Sequence, residues 1–139
     1  MPMDTIADCP LNVLRRFFDA YLVERDADKA LRCVTPTFHW IGTGAFERAS
    51  GHGELKRLME EDIRNEPEPY SYTFKDFHTQ DGLFAGGNAI FTKLLSDGRE
   101  ISLETRVSAV CGEDGLLRAV HISVPNAAQD EGEFFPMRF

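Results

Sequence analysis

The stretch that decides the fold runs from residue 70 to residue 124, YSYTFKDFHTQDGLFAGGNAIFTKLLSDGREISLETRVSAVCGEDGLLRAVHISV. It contains three Asp-Gly pairs at nearly even spacing, Asp81-Gly82, Asp97-Gly98 and Asp114-Gly115. Asp-Gly is a strong hairpin signal because both residues tolerate the positive φ of a type I′ turn. The pattern therefore predicts an antiparallel meander of four strands: Tyr70–His78, Leu83–Ser96, Glu100–Cys111 and Leu116–Val124.

Two-residue turns would fix which side of each strand faces the core. At the last turn, Glu113 would pair with Leu116, which sets Val107 opposite Ile122 and Ser108 opposite His121. The apolar face predicted for the core then carries Ile101, Leu103, Thr105, Val107, Ala109, Cys111, Leu116, Val120, Ile122 and Val124. The outer face carries Ser102, Glu104, Arg106, Ser108, Leu117, Ala119, His121 and Ser123.

The strand before Asp97-Gly98 follows the same rule. A two-residue turn there places Asn88, Ile90, Thr92 and Leu94 on the core side. Gly86-Gly87 is well placed for a β-bulge that would curl the sheet.

The first half of the chain reads as helical. Its first helix carries an apolar stripe at helical spacing, formed by Leu11, Leu14, Phe17, Phe18, Tyr21 and Leu22. Asp26 is the predicted N-cap of a short second helix that Pro36 stops, and Phe38–Thr43 reads as a strand. Ser50 is the predicted cap of a third helix, whose inner stripe is Leu55, Leu58, Met59 and Ile63. This order predicts an α+β fold with helices on one face of a curved antiparallel sheet.

Composition and charge restrict the function classes. The 139 residues fit one domain, which we place at residues 1–125, followed by a tail at 126–139. A formal charge of −8 argues against nucleic acid and anionic membrane partners, which need clustered positive charge. Cys9, Cys33 and Cys111 have no C-x-x-C spacing, which argues against a disulfide framework and for a reducing, cytoplasmic compartment. The tail carries four large apolar side chains that we expect to dock: Phe134, Phe135, Met137 and Phe139.

Three segments and the closing meander resemble the SnoaL-like branch of the nuclear-transport-factor-2-like superfamily, which has a cystatin-like α+β cone. The segments are LRRFFDAYLVERDADKALRCV, FHWIGTG and FERASGHGELKRLM. The resemblance covers Leu11 to Val124. It implies a curled sheet around a long helix, an apolar pocket at the open end and a homodimer through the outer sheet face. Members of the superfamily include isomerases, cyclases, dehydratases, hydrolases and binding modules, so the resemblance selects no function.

The same resemblance allows a check of catalytic positions. The general-base aspartate of ketosteroid isomerases falls at Gly42, their oxyanion tyrosine near Phe18 and their second oxyanion acid near Val107. None of these three side chains can move a proton or hydrogen-bond an enolate. Ketosteroid isomerase chemistry is therefore disfavoured.

The histidines offer only weak alternatives. His39 alternates with Trp40 and is expected to point outward. His121 could form an acid–base cluster with Glu104, Arg106 and Ser108, but we favour a polar outer face. His52 reads as an exposed turn residue. Asp76 and His78 are too few ligands for a metal, so neither a metal nor a cofactor is expected.

The lead hypothesis is the binding of a small, flat or hydrophobic metabolite without an evident catalytic acid or base. The predicted ligand-binding residues are Phe18, Tyr21, Trp40, Met59, Thr105, Val107, Val120 and Ile122. Two alternatives stay open. One is an isomerase, cyclase, dehydratase or hydrolase acting on a polyketide- or terpenoid-like substrate, which needs a His, Asp or Glu pointing into the cavity; His121 is the first candidate, followed by His39 and Asp76. The other is a dimeric assembly or interaction module.

Overall fold

The computed structural model describes residues 9–42, 47–95, 97–112 and 114–124, and these form three helices and one six-stranded sheet. The helices are α1 (Cys9–Phe18), continued by a π-helical segment (Asp19–Val23), α2 (Ala27–Leu31) and α3 (Gly51–Asn65). The strands are β1 (Val34–Ile41), β2 (Arg48–Ser50), β3 (Tyr70–Gln80), β4 (Phe84–Leu94), β5 (Glu100–Cys111) and β6 (Leu117–Ser123). The α+β prediction is confirmed, and the predicted tail at 126–139 lies outside the described residues.

The sheet has the strand order β2-β1-β6-β5-β4-β3. The predicted meander is confirmed as β3 to β6, whose neighbouring strands are antiparallel. The sheet as a whole is mixed, because β1 pairs with β6 in parallel. Pro36 was expected to stop the second helix, but α2 already ends at Leu31 and Pro36 lies exposed within β1. The core lies between the helices and the concave face of this sheet.

The β5–β6 register is confirmed, although the turn that closes it differs from the prediction. Val107 lies opposite Ile122 and Ser108 opposite His121. The turn is one residue longer than a type I′ turn, since the Gly112 amide donates to the Leu116 carbonyl at 2.9 Å. A β-bulge at Arg118 absorbs the extra residue. As a result Leu117, not Leu116, is fully buried at the base of β6.

The predicted core face of β4 is wrong. The Leu95 amide donates to the Arg99 carbonyl at 2.7 Å, so three residues form the turn, and Gly98 supplies its left-handed position with φ 90°. All residue pairs from Leu94–Glu100 to Phe84–Val110 follow one register. No bulge in this ladder returns the predicted side chains of β4 to the core face. The buried residues are therefore Ala89, Phe91 and Lys93, while those predicted, Asn88, Ile90, Thr92 and Leu94, are on the other face.

The predicted bulge at Gly86-Gly87 is confirmed in position, but the extra residue belongs to β3. The β3–β4 register shifts between Lys75 and His78, and Asp76 takes a left-handed φ of 57°. The β3 backbone folds over Gly87 so closely that a Cβ there would lie 2.7 Å from the Cα of Phe77. Gly87 is thus required by the bulge that curves the sheet.

The apolar stripe of α1 is confirmed. Leu14, Phe17, Phe18, Tyr21 and Leu22 are all buried, the last two in the π-helical segment, whereas Leu11 is only half-buried. The π-helical segment places three consecutive residues in the core, Ala20, Tyr21 and Leu22, which a regular turn of a surface helix does not do.

The two predicted helix caps differ in outcome. Asp26 caps α2 as predicted, since its side chain accepts a hydrogen bond from the Lys29 amide at 3.1 Å. Ser50 is the N-cap residue of α3 but makes no side-chain capping bond. Its hydroxyl instead lies 3.0 Å from Nδ1 of His39.

We expect Gly87→Ala to destabilise the protein by about 1–3 kcal/mol, because the new methyl group overlaps backbone atoms of β3. Gly53→Ala is the matched control. A Cβ at Gly53 meets nothing within 4 Å, so alanine should stabilise α3 by about 0.5–1 kcal/mol. Urea unfolding of the two variants measures the difference. A Gly87→Ala protein as stable as the wild type would contradict this account of the bulge.

Candidate functional site

All eight residues predicted to bind a ligand face the interior. Each is buried, with at most 5% of its surface exposed. Tyr21 and Trp40 are in contact, with ring centroids 6.1 Å apart. The ring of Phe18 packs edge-on against those of Tyr72, Phe74 and Phe91.

Thr105 and Trp40 differ in how their polar groups are used. The Thr105 hydroxyl donates to the Ala89 carbonyl at 2.9 Å, so its hydrogen already has an acceptor within the sheet. The indole N–H of Trp40 is buried and has no hydrogen-bond partner among the described residues. A buried donor without an acceptor costs about 1–3 kcal/mol. Trp40 is therefore the predicted lining residue that has an unused polar group.

A polar cluster missed by the sequence analysis lies beside these aromatic rings. The Tyr21 hydroxyl donates to Oδ2 of Asp62 at 2.7 Å, and the Arg25 guanidinium donates to the same oxygen at 3.1 Å. Lys93 Nζ donates to Oε1 of Glu66 at 2.5 Å. Both cations are almost fully buried, with side chains 6% and 4% exposed. We refer to Tyr21, Arg25, Asp62, Glu66 and Lys93 as the polar cluster.

The local structure explains how Arg25 reaches this cluster. The helix that contains Tyr21 ends in π-helical hydrogen bonding, and Arg25 then adopts a left-handed φ of 56°. This turn directs the guanidinium over the rings of Tyr21 and Tyr70, at 5.4 Å and 5.1 Å from their centroids. Left-handed backbone at a non-glycine residue is costly and persists only where the surroundings enforce it. Here the enforcing contacts include the bond that Arg25 donates to the Glu66 carbonyl at 2.7 Å.

Glu47 is a further inward acid. The β1–β2 ladder pairs Trp40 with Ala49 and Ile41 with Arg48, and the Gly42 amide continues it by donating to the Glu47 carbonyl at 2.7 Å. Directly opposite residues of a ladder share a face, and faces alternate along a strand. Trp40 and Ala49 are buried, so Glu47 points to the buried face as well.

The carboxylate of Glu47 occupies the place of a side chain at position 42. A Cβ built on Gly42 would overlap Oε2 of Glu47. The sequence comparison with ketosteroid isomerases found no acid at Gly42, and that observation is correct for residue 42 itself. The acid at this place comes from the neighbouring strand.

The electrostatics of the interior keep the tyrosines protonated. Burial, followed by the charge of Asp62, raises the pKa of Tyr21 and of Tyr70 well above 10.0. Glu47 adds to both pKa shifts, so its negative charge acts on both hydroxyls. Each tyrosine therefore remains neutral at physiological pH.

The histidine and metal candidates lie elsewhere. His39, His121, Asp76 and His78 are all exposed, as expected for His39 and for the outer-face reading of His121. His52 was expected to be an exposed turn residue, but it is half-buried and its Nε2 lies 3.1 Å from the Val34 carbonyl oxygen. The described part of the chain contains no group of three or more His, Cys, Asp or Glu side chains that could hold a metal ion.

Comparison with known proteins identifies the fold. No family model and no curated protein matches the sequence. Among solved structures, the Δ5-3-ketosteroid isomerase from Mycobacterium sp. superposes with a TM-score of 0.69 at 9% identity, covering 82% of this chain and 91% of that chain. The fold is that of nuclear-transport-factor-2-like proteins.

Other proteins with the nuclear-transport-factor-2-like fold differ in their described roles. A putative calcium/calmodulin-dependent protein kinase II association domain from Xanthomonas campestris has a TM-score of 0.68 at 17% identity, covering 85% of this chain and 87% of its own. A Catenulispora acidiphila protein in complex with S-DNPA has a TM-score of 0.67 at 19% identity, covering 84% and 90%. The shared fold thus confirms the resemblance without selecting one role. Within the described ranges, no helix is both long and apolar enough to cross a bilayer.

The raised pKa of Tyr21 predicts a specific loss of stability in alkali. Below pH 10 the Tyr21 hydroxyl is protonated in both the folded and the unfolded protein. Above pH 10 it ionises only in the unfolded protein, so the unfolding free energy falls as the pH rises. Between about pH 9 and pH 11 the wild type should lose about 1.4 kcal/mol more unfolding free energy than Tyr21→Phe, which has no hydroxyl to ionise.

Urea titrations of both proteins at the two pH values measure this difference. The comparison at pH 9 serves as the control, because it contains the loss of the bond to Asp62 but little ionisation. An equal loss in the two proteins would contradict the raised pKa.

Proposed function

We propose that the chain binds a small molecule with an apolar body and a hydrogen-bond acceptor, held against Trp40 and Tyr21 on the concave side of the sheet. The observation that carries this proposal is the buried indole N–H of Trp40, which has no acceptor among the described residues. A ligand carbonyl that accepts this hydrogen removes the cost of the unpaired donor. The bond then contributes to affinity on top of apolar burial.

The surroundings of Trp40 support an apolar, flat ligand. The rings of Phe17 and Tyr21 lie 5.9 Å and 6.1 Å from that of Trp40. Aromatic walls with a few placed polar groups are typical of small-molecule sites. The remaining predicted lining residues, Phe18, Met59, Thr105, Val107, Val120 and Ile122, are part of the same proposal and supply its apolar surface. The Catenulispora complex shows that a protein of this fold takes up a small ligand.

The two alternatives have less support. The enzymatic hypothesis needs an inward His, Asp or Glu, and its named candidates His121, His39 and Asp76 are all exposed. Glu47, which points inward, is the acid that this hypothesis would have to use. A homodimer, and with it an assembly role, stays a prediction, as does a cytoplasmic location. The kinase association domain from Xanthomonas is the neighbour whose description fits an assembly role.

A pair of isosteric probes tests the proposed hydrogen bond. 2-Acetonaphthone carries a carbonyl oxygen at the position where 2-isopropylnaphthalene carries one of its two methyl groups. We expect the wild type to bind the ketone about five- to tenfold more tightly, the equivalent of one neutral hydrogen bond of about 1–1.4 kcal/mol. Trp40→Phe keeps an aromatic wall but loses the donor, so it should bind both probes equally. Isothermal titration calorimetry measures all four affinities.

His121→Ala is the control variant, because this exposed residue lies on the outer face. It should keep the wild-type preference for the ketone. Failure of the wild type to bind either probe at millimolar concentration would remove the proposed function. A ketone preference that survives in Trp40→Phe would remove the role of the indole N–H.

A further inference from the structure

A surface cleft with a volume of about 400 Å³ brings together three cations of the first half of the chain. It lies where the end of α1, the end of α2 and the residue before β6 meet. The Leu117 amide donates to the Cys33 carbonyl at 2.9 Å and so holds the start of β6 against the end of α2. We refer to this feature as the cationic cleft, and these three elements line it with Val13, Arg16, Lys29, Arg32, Cys33 and Leu116.

Two carboxylates also line the cationic cleft, but each already accepts a hydrogen bond from the protein. The Tyr72 hydroxyl donates to Oδ1 of Asp19 at 2.6 Å. Lys29 Nζ donates to Oε1 of Glu24 at 2.7 Å. Positive side chains therefore outnumber negative ones in this cleft, although the chain as a whole has a formal charge of −8.

The two arginines of the cleft differ from Lys29 in having no acid to pair with. Among the described residues, neither Arg16 nor Arg32 forms a side-chain hydrogen bond or an ion pair. Their charges and that of Lys29 act on one point, because burial raises the pKa of the Cys33 thiol and all three cations oppose that shift. Each guanidinium presents five N–H donors, so the cleft has donors in place for an anion.

We propose that the cationic cleft binds a phosphate monoester that carries a small apolar group. The planar fork of a guanidinium matches the geometry of phosphate oxygens, and a phosphate monoester offers three terminal oxygens to three cations. The cleft volume is at the lower end of small-molecule sites, about 300–1,000 Å³, so an organic group fits beside the phosphate. Val13 and Leu116 supply apolar surface for that group. This site is separate from the one beside Trp40 and does not depend on the proposed function.

Two probes of the same shape but different charge test the proposal, phenyl phosphate and phenyl sulfate. At pH 7.5 phenyl phosphate is mostly a dianion, because the second pKa of a phosphate monoester is about 6, whereas phenyl sulfate carries one charge. The wild type should bind phenyl phosphate at least fivefold more tightly than phenyl sulfate. Isothermal titration calorimetry at moderate, constant salt measures both affinities.

Single substitutions then assign the binding to the cleft. Arg16→Gln and Arg32→Gln should each weaken phenyl phosphate binding about fivefold, because each removes a charge-assisted hydrogen bond at a partly exposed site. Arg106→Gln is the matched control, since it removes the same charge from an exposed residue of the outer sheet face. It should leave the affinity within twofold. Thermal unfolding verifies that each variant is folded.

Cys33 reports where the phosphate binds, because its half-buried side chain lines the cleft. A saturating concentration of phenyl phosphate should slow the alkylation of Cys33 by iodoacetamide at least threefold. Mass spectrometry of the peptide that contains residue 33 separates this thiol from Cys9 and Cys111. The same concentration of phenol, which lacks the phosphate, should leave the rate unchanged.

Four results would overturn the proposal. The first is no binding of phenyl phosphate to the wild type at about 10 mM, and the second is equal binding of phenyl phosphate and phenyl sulfate. The third is an Arg106→Gln protein that loses as much affinity as Arg16→Gln, which would indicate general attraction of anions. The fourth is an unchanged rate of Cys33 alkylation at saturation, which would place the phosphate elsewhere. None of these results affects the binding of 2-acetonaphthone beside Trp40.

Discussion

The interior is organised around Phe17, which couples the first helix to the first strand. Its fully buried ring lies about 6 Å from four other rings, those of Phe18, Tyr21, Phe38 and Trp40. Because the Phe17 ring of α1 packs against Phe38 and Trp40 of β1, the direction of the Trp40 indole depends on where α1 lies. Tilted ring pairs at this distance each add about 0.5–1.5 kcal/mol beyond the area they bury. The same contact fixes Tyr21, and through Tyr21 the position of the polar cluster.

The polar cluster gives this apolar interior a second, directional component. Replacing a buried ion pair by apolar residues is often neutral or stabilising, so the Arg25–Asp62 and Lys93–Glu66 pairs are weak arguments for stability. Removing one partner alone leaves a buried charge and is strongly destabilising. The left-handed backbone at Arg25 and the π-helical segment before it add local cost. The hydrogen bonds of Arg25 to Tyr21, Asp62 and Glu66 link the end of the first helix to α3 and the residue that follows it.

The spacing of apolar residues in the sequence predicted the fold correctly. The prediction failed where the length of a turn decides which side of a strand faces the core. The β5–β6 faces are as predicted because two unrecognised features cancel, a longer turn and the bulge at Arg118. The β4 face is inverted because its turn has the same extra residue and no bulge follows. This inversion hid Lys93 from the site prediction. Asp62 and Glu66 continued the Leu55–Met59 stripe at helical spacing, a signal that was available, whereas Glu47 needed the β1–β2 register, which a three-residue strand does not reveal.

The central claim is that the Trp40 indole N–H is a buried donor that a ligand acceptor can reach. Trp40 is the only tryptophan, so a ¹⁵N-labelled sample gives one indole N–H resonance. We predict that saturating 2-acetonaphthone moves this proton resonance downfield and slows its exchange with water, since a carbonyl then accepts the hydrogen. The isosteric 2-isopropylnaphthalene should produce no downfield shift. An indole resonance that exchanges rapidly in the free protein, or that responds identically to both probes, would contradict the account.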